Sequence, residues 1–175
     1  PGTERTVRGT VDGMPAAAAA GGLVGGGLKL VILHGDGRRT ILEPVGDGLH
    51  AIYDAAGVVP MPGHACGNEA VAPADPVDPA PTDAGSPVAG GTLDVAELAC
   101  DADFEYFQDY GSVAEVEARI ATVINTVNQQ YESQVGITHE LTTIIVRTTS
   151  TDPYTAFDSF GLLCQFITEW TDNQG

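Results

Sequence analysis

The sequence predicts an α/β chain: a small antiparallel β unit, then an incomplete β-α-β-α mixed sheet with packed helices. Three observations carry this. The first third holds short strand-like runs separated by turn residues. A proline-rich stretch interrupts the middle. The last half alternates strand-like runs with runs at helical spacing. The expected organisation is a β-rich region over 1–67, a Pro/Ala/Asp-rich linker over 68–91 and a second folded region over 92–175.

In the first region Val7, Gly9 and Val11 open a β-like run, and Leu28–Leu33 reads as a strand. Asp36-Gly37, inside His34–Gly37, predicts a type I′ hairpin turn, because Asp-Gly tolerates positive φ. Thr40–Pro44 returns, and Leu49–Tyr53 supplies one more strand. Ala16–Ala20 with Gly21 and Gly22 is too poor in bulky side chains to be the apolar core of a secretory signal. Gly25–Gly27 lacks the following Lys-Ser/Thr and helix of a phosphate-binding loop. In the linker, Pro73, Pro76, Pro79, Pro81 and Pro87 each remove a backbone donor, so no ladder or helix persists there.

The second region opens with a strand over Leu93–Cys100. Ser112 and Glu115 form a capping-box signature, in which the hydroxyl meets an orphan N–H and the Glu reaches back. Val113, Val116, Ile120, Val123, Ile124, Val127 and Tyr131 follow at helical spacing on one face, and Gly136 ends that helix. Ile137–Thr148 is a β-branched strand. Asp152-Pro153 turns the chain. Phe160, Leu163, Cys164 and Ile167 mark a second helix, with Trp170 near its end.

Charge narrows the function classes. The chain has 24 acidic and 7 basic residues, a net charge of −17. Phosphate backbones and anionic membranes would repel it, so nucleic acid is not an expected partner. Acidity fits either solvation or a calcium role. No apolar run approaches the ~20 residues needed to span a bilayer. Three cysteines suggest one pair and one leftover thiol.

Residues Asp101–Phe107, Gly111-Ser112-Val113, Asn128–Tyr131 and Val135-Gly136-Ile137 resemble the start of a reprolysin-type metzincin, an ADAM-like zinc protease in its bacterial form. Ile144–Thr148, Asp152-Pro153-Tyr154, Leu162–Phe166, Trp170 and Asn173-Gln174 continue the likeness. Gly9-Thr10-Val11, Ile41–Pro44, His50–Tyr53 and Cys66-Gly67 resemble that family's propeptide. The resemblance implies a zincin-like α+β fold. It implies a secreted or extracellular zinc metalloendopeptidase, acting on protein or peptide substrates through zinc-activated water. Its signal peptide is expected upstream of Pro1 and its zinc-binding helix beyond Gly175.

The family motif HExxHxxGxxH is absent from this sequence. His139-Glu140 is followed by Thr143 where a second ligand would stand, and strand alternation would point His139 and Glu140 to opposite faces. The chain as given is therefore expected to be inactive. By resemblance, Cys66 in Pro62–Gly67 is an inhibitory zinc ligand of the cysteine-switch type, against the alternative of an unpaired loop thiol. Glu97 falls where the family places a calcium-binding acid, against a solvent-facing strand residue. Cys100 and Cys164 are either a disulfide, contributing about 4 kcal/mol in the chain-entropy model, or two buried thiols. Asp101, Asp103, Glu105 and Asp109 read as a solvated charge run. Zinc, and conditionally calcium, are the expected cofactors. The alternative function is a non-catalytic secreted interaction module of degenerate metalloprotease fold. An incomplete sheet should also leave an exposed apolar face and favour oligomerisation.

Overall fold

The computed structural model describes residues 5–59 and 92–173. Among these, 5–58 and 92–148 form one compact unit, and 149–173 belong to a second. The fold is mixed α/β, as the sequence predicts.

The first unit begins with a five-stranded antiparallel meander. Its strands are β1 (Thr6–Val11), β2 (Met14–Val24), β3 (Gly27–Leu33), β4 (Arg39–Gly46) and β5 (Leu49–Asp54), in spatial order β1-β2-β3-β4-β5. A single 3₁₀ turn, Ala55–Gly57, follows, with Asp54 accepting from Ala56 N at 2.8 Å. The type I′ geometry expected at Asp36-Gly37 is not formed. Gly37 alone has positive φ (83°) there, and its N–H closes the turn onto His34 O at 2.9 Å. Paired left-handed residues occur instead at Gly25-Gly26 (φ 56° and 73°), joining β2 to β3, and at Asp47-Gly48 (φ 52° and 73°), joining β4 to β5. These two-residue loops match the twist of their strands.

Strand β2 was not expected from its sequence, MPAAAAAGGLV. Alanine and glycine are poor strand formers by intrinsic preference. Here they serve a close approach. A Cβ on Gly22 would collide with the Thr122 side chain and the Arg5 carbonyl. Ala20 and Val24 are buried on the same face of the sheet.

The structure then enters β6 (Asp94–Ala102), α1 (Phe104–Tyr110), α2 (Val113–Gln134) and β7 (Ile137–Val146). Strands β6 and β7 pair in parallel, from Asp94 opposite Ile137 to Ala102 opposite Val146. Parallel pairing requires a crossover, and α1 and α2 supply it. Helix α1 corrects the expected charge run. Asp103 accepts from Tyr106 N at 2.8 Å as its N-cap, and Gly111, at φ 71°, ends it. Ser112 caps α2 as predicted, its Oγ accepting from Glu115 N at 3.2 Å. The Glu115 carboxylate is engaged elsewhere: it accepts from Gly25 N at 2.8 Å and from Arg5 at 3.3 Å.

Helix α2 packs on both sheets of its unit, with the core along its two sides. Toward the meander it presents Ala118, Ala121 and Thr122, all buried. Polar groups lock this contact. Asn125 Nδ2 donates to Val7 O and Gly21 O, each at 2.9 Å. Arg8 donates to Asn125 Oδ1 and, at 2.7 Å, to Glu132. The apolar set expected on one face is not uniformly covered, since Val113, Val123 and Tyr131 stay exposed. Val24 and Val116 are the largest fully buried side chains among the described residues. Burial of each contributes about 1.5–3 kcal/mol.

The second unit contains α3 (Ser159–Asn173). Asp158 caps its start, with Oδ1 accepting from Gly161 N at 2.9 Å. Gln165 anchors the preceding loop: its Oε1 accepts from Thr155 N at 2.9 Å and Ala156 N at 3.1 Å. Phe166 and Trp170 pack with ring centroids 5.4 Å apart. Phe160, Leu163 and Ile167 are exposed. No helix among the described residues is long and apolar enough to cross a membrane.

Candidate functional site

The chemistry-bearing side chains of the first unit gather along β6, β7 and the helix between them. Asp101 lies near the end of β6, and Arg147 follows β7 directly. The parallel register brings Asp101 opposite Ile145, two residues before Arg147. The guanidinium donates to both carboxylate oxygens, Nε to Oδ1 at 2.9 Å and Nη2 to Oδ2 at 2.7 Å. The Asp101 side chain has 0% exposure, so the solvated charge run expected here is corrected. A buried carboxylate needs a charged, geometrically matched partner, and Arg provides a fork for two oxygens. Arg147 N also donates to Ala102 O at 2.9 Å, continuing the ladder past β7.

Beside this pair lies a cavity of about 360 Å³ lined by Cys100, Asp101, Ala102, Asp103 and Tyr106 from one side and Ile120, Val123 and Ile124 from α2. Cys100 is a free, half-buried thiol, and burial raises its pKa above the ordinary cysteine value. A protonated thiol is a poor nucleophile and a poor metal ligand. Cys164 is also a free thiol, exposed on α3.

His139 is held as a strand residue. Its N–H donates to Asn128 Oδ1 at 2.8 Å, and its carbonyl accepts from Asn128 Nδ2 at 2.8 Å. The side-chain amide of Asn128, buried on α2, thus pairs with β7 as a neighbouring strand would. The imidazole Nδ1 lies 2.7 Å from the same Oδ1, and the ring meets Tyr131 edge-on at 5.0 Å. Glu140 is exposed, whereas His139 is partly buried. These two neighbours do not converge on a common ion.

Glu97 is exposed on β6, and its register partner on β7 is Glu140, also exposed. Two carboxylates side by side need solvent or a cation, but no third ligand joins them. Among the described residues, no group of three or more His, Cys, Asp or Glu side chains could hold a metal ion. The described residues therefore do not fit the zinc that the resemblance implies. Cys66 lies outside the described residues.

The Asn128 clamp and the Asp101–Arg147 pair were not singled out from the sequence. Asn128 carries no local signal, because a polar residue on an amphipathic helix ordinarily faces water. Arg147 is the only basic residue after Arg119, and in so acidic a chain that isolation was an available clue to a specific carboxylate partner.

Residues 92–173 match the family model described as Metallo-peptidase family M12B Reprolysin-like. The matched span covers β6, α1, α2, β7 and α3. No curated protein and no solved structure gives a match. The parallel β6–α2–β7 crossover, Asp94 to Val146, lies within the matched span, and residues 92–173 are similar to the reprolysin-like M12B metallopeptidase family.

Proposed function

We propose that the natural protein containing this chain is a secreted zinc-dependent metalloendopeptidase that cuts protein or peptide substrates. The observation carrying this reading is the reprolysin-like match over 92–173, a span that contains a parallel two-strand crossover built around one long helix. In this reading β6, α2 and β7 are scaffold. The Asn128 clamp and the Asp101–Arg147 pair hold that scaffold and take no part in chemistry. The zinc ligands come from residues other than those described, and the 175-residue chain has no HExxH run of its own. It is accordingly inactive by itself.

The meander takes the role of a propeptide, with residues 68–91 as the tether and Cys66 as the inhibitory thiol. Glu97 with Glu140 is the place where calcium would be added once further ligands are supplied.

The test is an endopeptidase assay on the natural gene product, using an unfolded protein substrate with and without a zinc chelator. Chelator-sensitive cleavage that rises when Cys66 is replaced by Ser supports the proposal. Absence of cleavage and of bound zinc favours instead the non-catalytic interaction module.

A further inference from the structure

We propose that the groove between α2 and strands β3 and β4 binds the C-terminal residue of a peptide that ends in a branched aliphatic side chain.

The groove follows from the seating of α2. The helix lies mainly over β2, where Ala20 and Gly22 admit it closely. Strands β3 and β4 extend beyond it as a shelf. Their register sets Val31 opposite Ile41 and Leu33 opposite Arg39, so these four side chains share the side that faces α2. Between the shelf and the helix at Thr126–Gln130 is a cavity of about 240 Å³. Val31, Leu33, Ile41, Ala55 and Val127 make its apolar part, and Arg39, Gln129 and Gln130 its polar part. Sites for drug-sized ligands begin near ~300 Å³, so this one suits a single residue rather than a long chain.

Charge selects the head group. Of the 7 basic residues, Arg5, Arg8, Lys29, Arg38 and Arg147 are in ion pairs. Arg119 stacks over Tyr110, 3.7 Å from the ring centroid. Among the described residues Arg39 has neither kind of partner, although the chain carries 24 acidic residues. No acidic side chain lines the cavity. Glu43, two residues beyond Ile41 on β4, already accepts from Lys29 at 2.6 Å and from Tyr53 at 2.9 Å. The cavity therefore sets an uncompensated guanidinium beside aliphatic side chains. That pairing selects a carboxylate on an aliphatic body, whereas a cation would meet only Arg39.

Gln129 favours a peptide over a free aliphatic acid. Its half-buried amide has no hydrogen-bond partner among the described residues, whereas Gln130 donates to Gln134 at 3.3 Å. The last residue of a peptide carries three complementary groups on one carbon: a carboxylate for Arg39, a side chain for the apolar part and an N–H for Gln129 Oε1. A free acid lacks the N–H. One aliphatic side chain and one exposed ion pair support an affinity on the order of 1 mM. The walls come from the meander and from α2, so the site exists only while the two are in contact.

An NMR titration of the whole chain with N-acetyl-leucine tests this. Saturable amide shifts are expected at Leu33, Ile41, Val127 and Gln129, with a dissociation constant on the order of 1 mM. N-acetyl-leucinamide lacks the charge and should bind about 3- to 5-fold more weakly. N-acetylglycine lacks the side chain and should bind at least about 10-fold more weakly. 4-Methylpentanoate lacks the N–H and should bind about 3-fold more weakly. Arg39→Gln, at an exposed position, should keep native circular dichroism and remove the preference for N-acetyl-leucine over its amide. No saturation by about 50 mM, or shifts confined to other residues, overturns the proposal. So does an amide that binds as well as the acid, or a preference that Arg39→Gln leaves unchanged. Equal binding of 4-methylpentanoate also overturns it, by assigning the site to free aliphatic acids.

Discussion

Replacing Asn128 by Ala should destabilise the first unit by roughly 2–4 kcal/mol. The magnitude follows from what the amide does. It accepts from His139 N–H and donates to His139 carbonyl, each at 2.8 Å, and its Oδ1 lies 2.7 Å from the imidazole Nδ1. Each such bond contributes about 1 kcal/mol net, and a buried backbone group left without a partner costs about 1–3 kcal/mol. Asn128 is 6% exposed, so water does not readily replace it. Asn128→Asp keeps the acceptor for the N–H but sets a carboxylate oxygen against the His139 carbonyl, so it should not rescue the clamp. Urea unfolding followed by circular dichroism measures both variants, with an unchanged slope required for a simple stability effect. Amide exchange at His139 should accelerate in step with the loss. A change below 0.5 kcal/mol for Asn128→Ala, or a fully stable Asp variant, would refute the idea that this side chain substitutes for a neighbouring strand.

Four further outcomes are expected. Gly22→Val should disrupt the meander–α2 contact and lower the melting temperature sharply, because a Cβ meets Thr122 and backbone; Gly22→Val with Thr122→Ala should recover part of the loss. Arg147→Met should cost about 3–5 kcal/mol by stranding the buried Asp101 carboxylate, whereas Asp101→Leu with Arg147→Met should be far milder, as a double-mutant cycle would report. Glu43 has its pKa lowered by hydrogen bonds from Lys29 and Tyr53; Glu132 is raised by burial but lowered more by Arg8 and Thr138. Both therefore contribute stability that is complete above the ordinary value of 4.5 and lost as pH falls through their folded values, so melting temperatures scanned from pH 6 to 3 should fall less steeply in Arg8→Gln. In thiol labelling at pH 8, Cys164 should react promptly and Cys100 slowly, the latter being half-buried with a raised pKa.

Much of this architecture is readable where local chemistry and tertiary need agree. Leu28–Leu33, the Ser112 cap and the β-branched run after Gly136 each form the element that their residues favour. The reading fails where packing overrules propensity. Strand β2 is an alanine–glycine run because α2 approaches too closely for larger side chains. Helix α1 is one short capped segment, too brief for periodicity to reveal. The Asp-Gly turn argument holds in kind but applies at Asp47-Gly48 rather than Asp36-Gly37. On the two-stranded β6–β7 sheet, for which an exposed apolar face is expected, Val95 is exposed; Leu23 and Ile52 are exposed on the meander, where no such face is expected. At the candidate site, the sequence marked Glu97 by resemblance and Asp101 as part of a charge run, but not the partners they meet. Glu140 and Arg147 reach β6 only through the parallel register, which no local pattern encodes.

The functional account is tested most directly by zinc-edge X-ray absorption on the natural gene product in its uncleaved form. It predicts one zinc per chain with a sulfur ligand at about 2.3 Å, a distance typical of zinc–thiolate bonds, that disappears in Cys66→Ser. A protein that binds no zinc, or whose zinc shell is unchanged by that substitution, would contradict it.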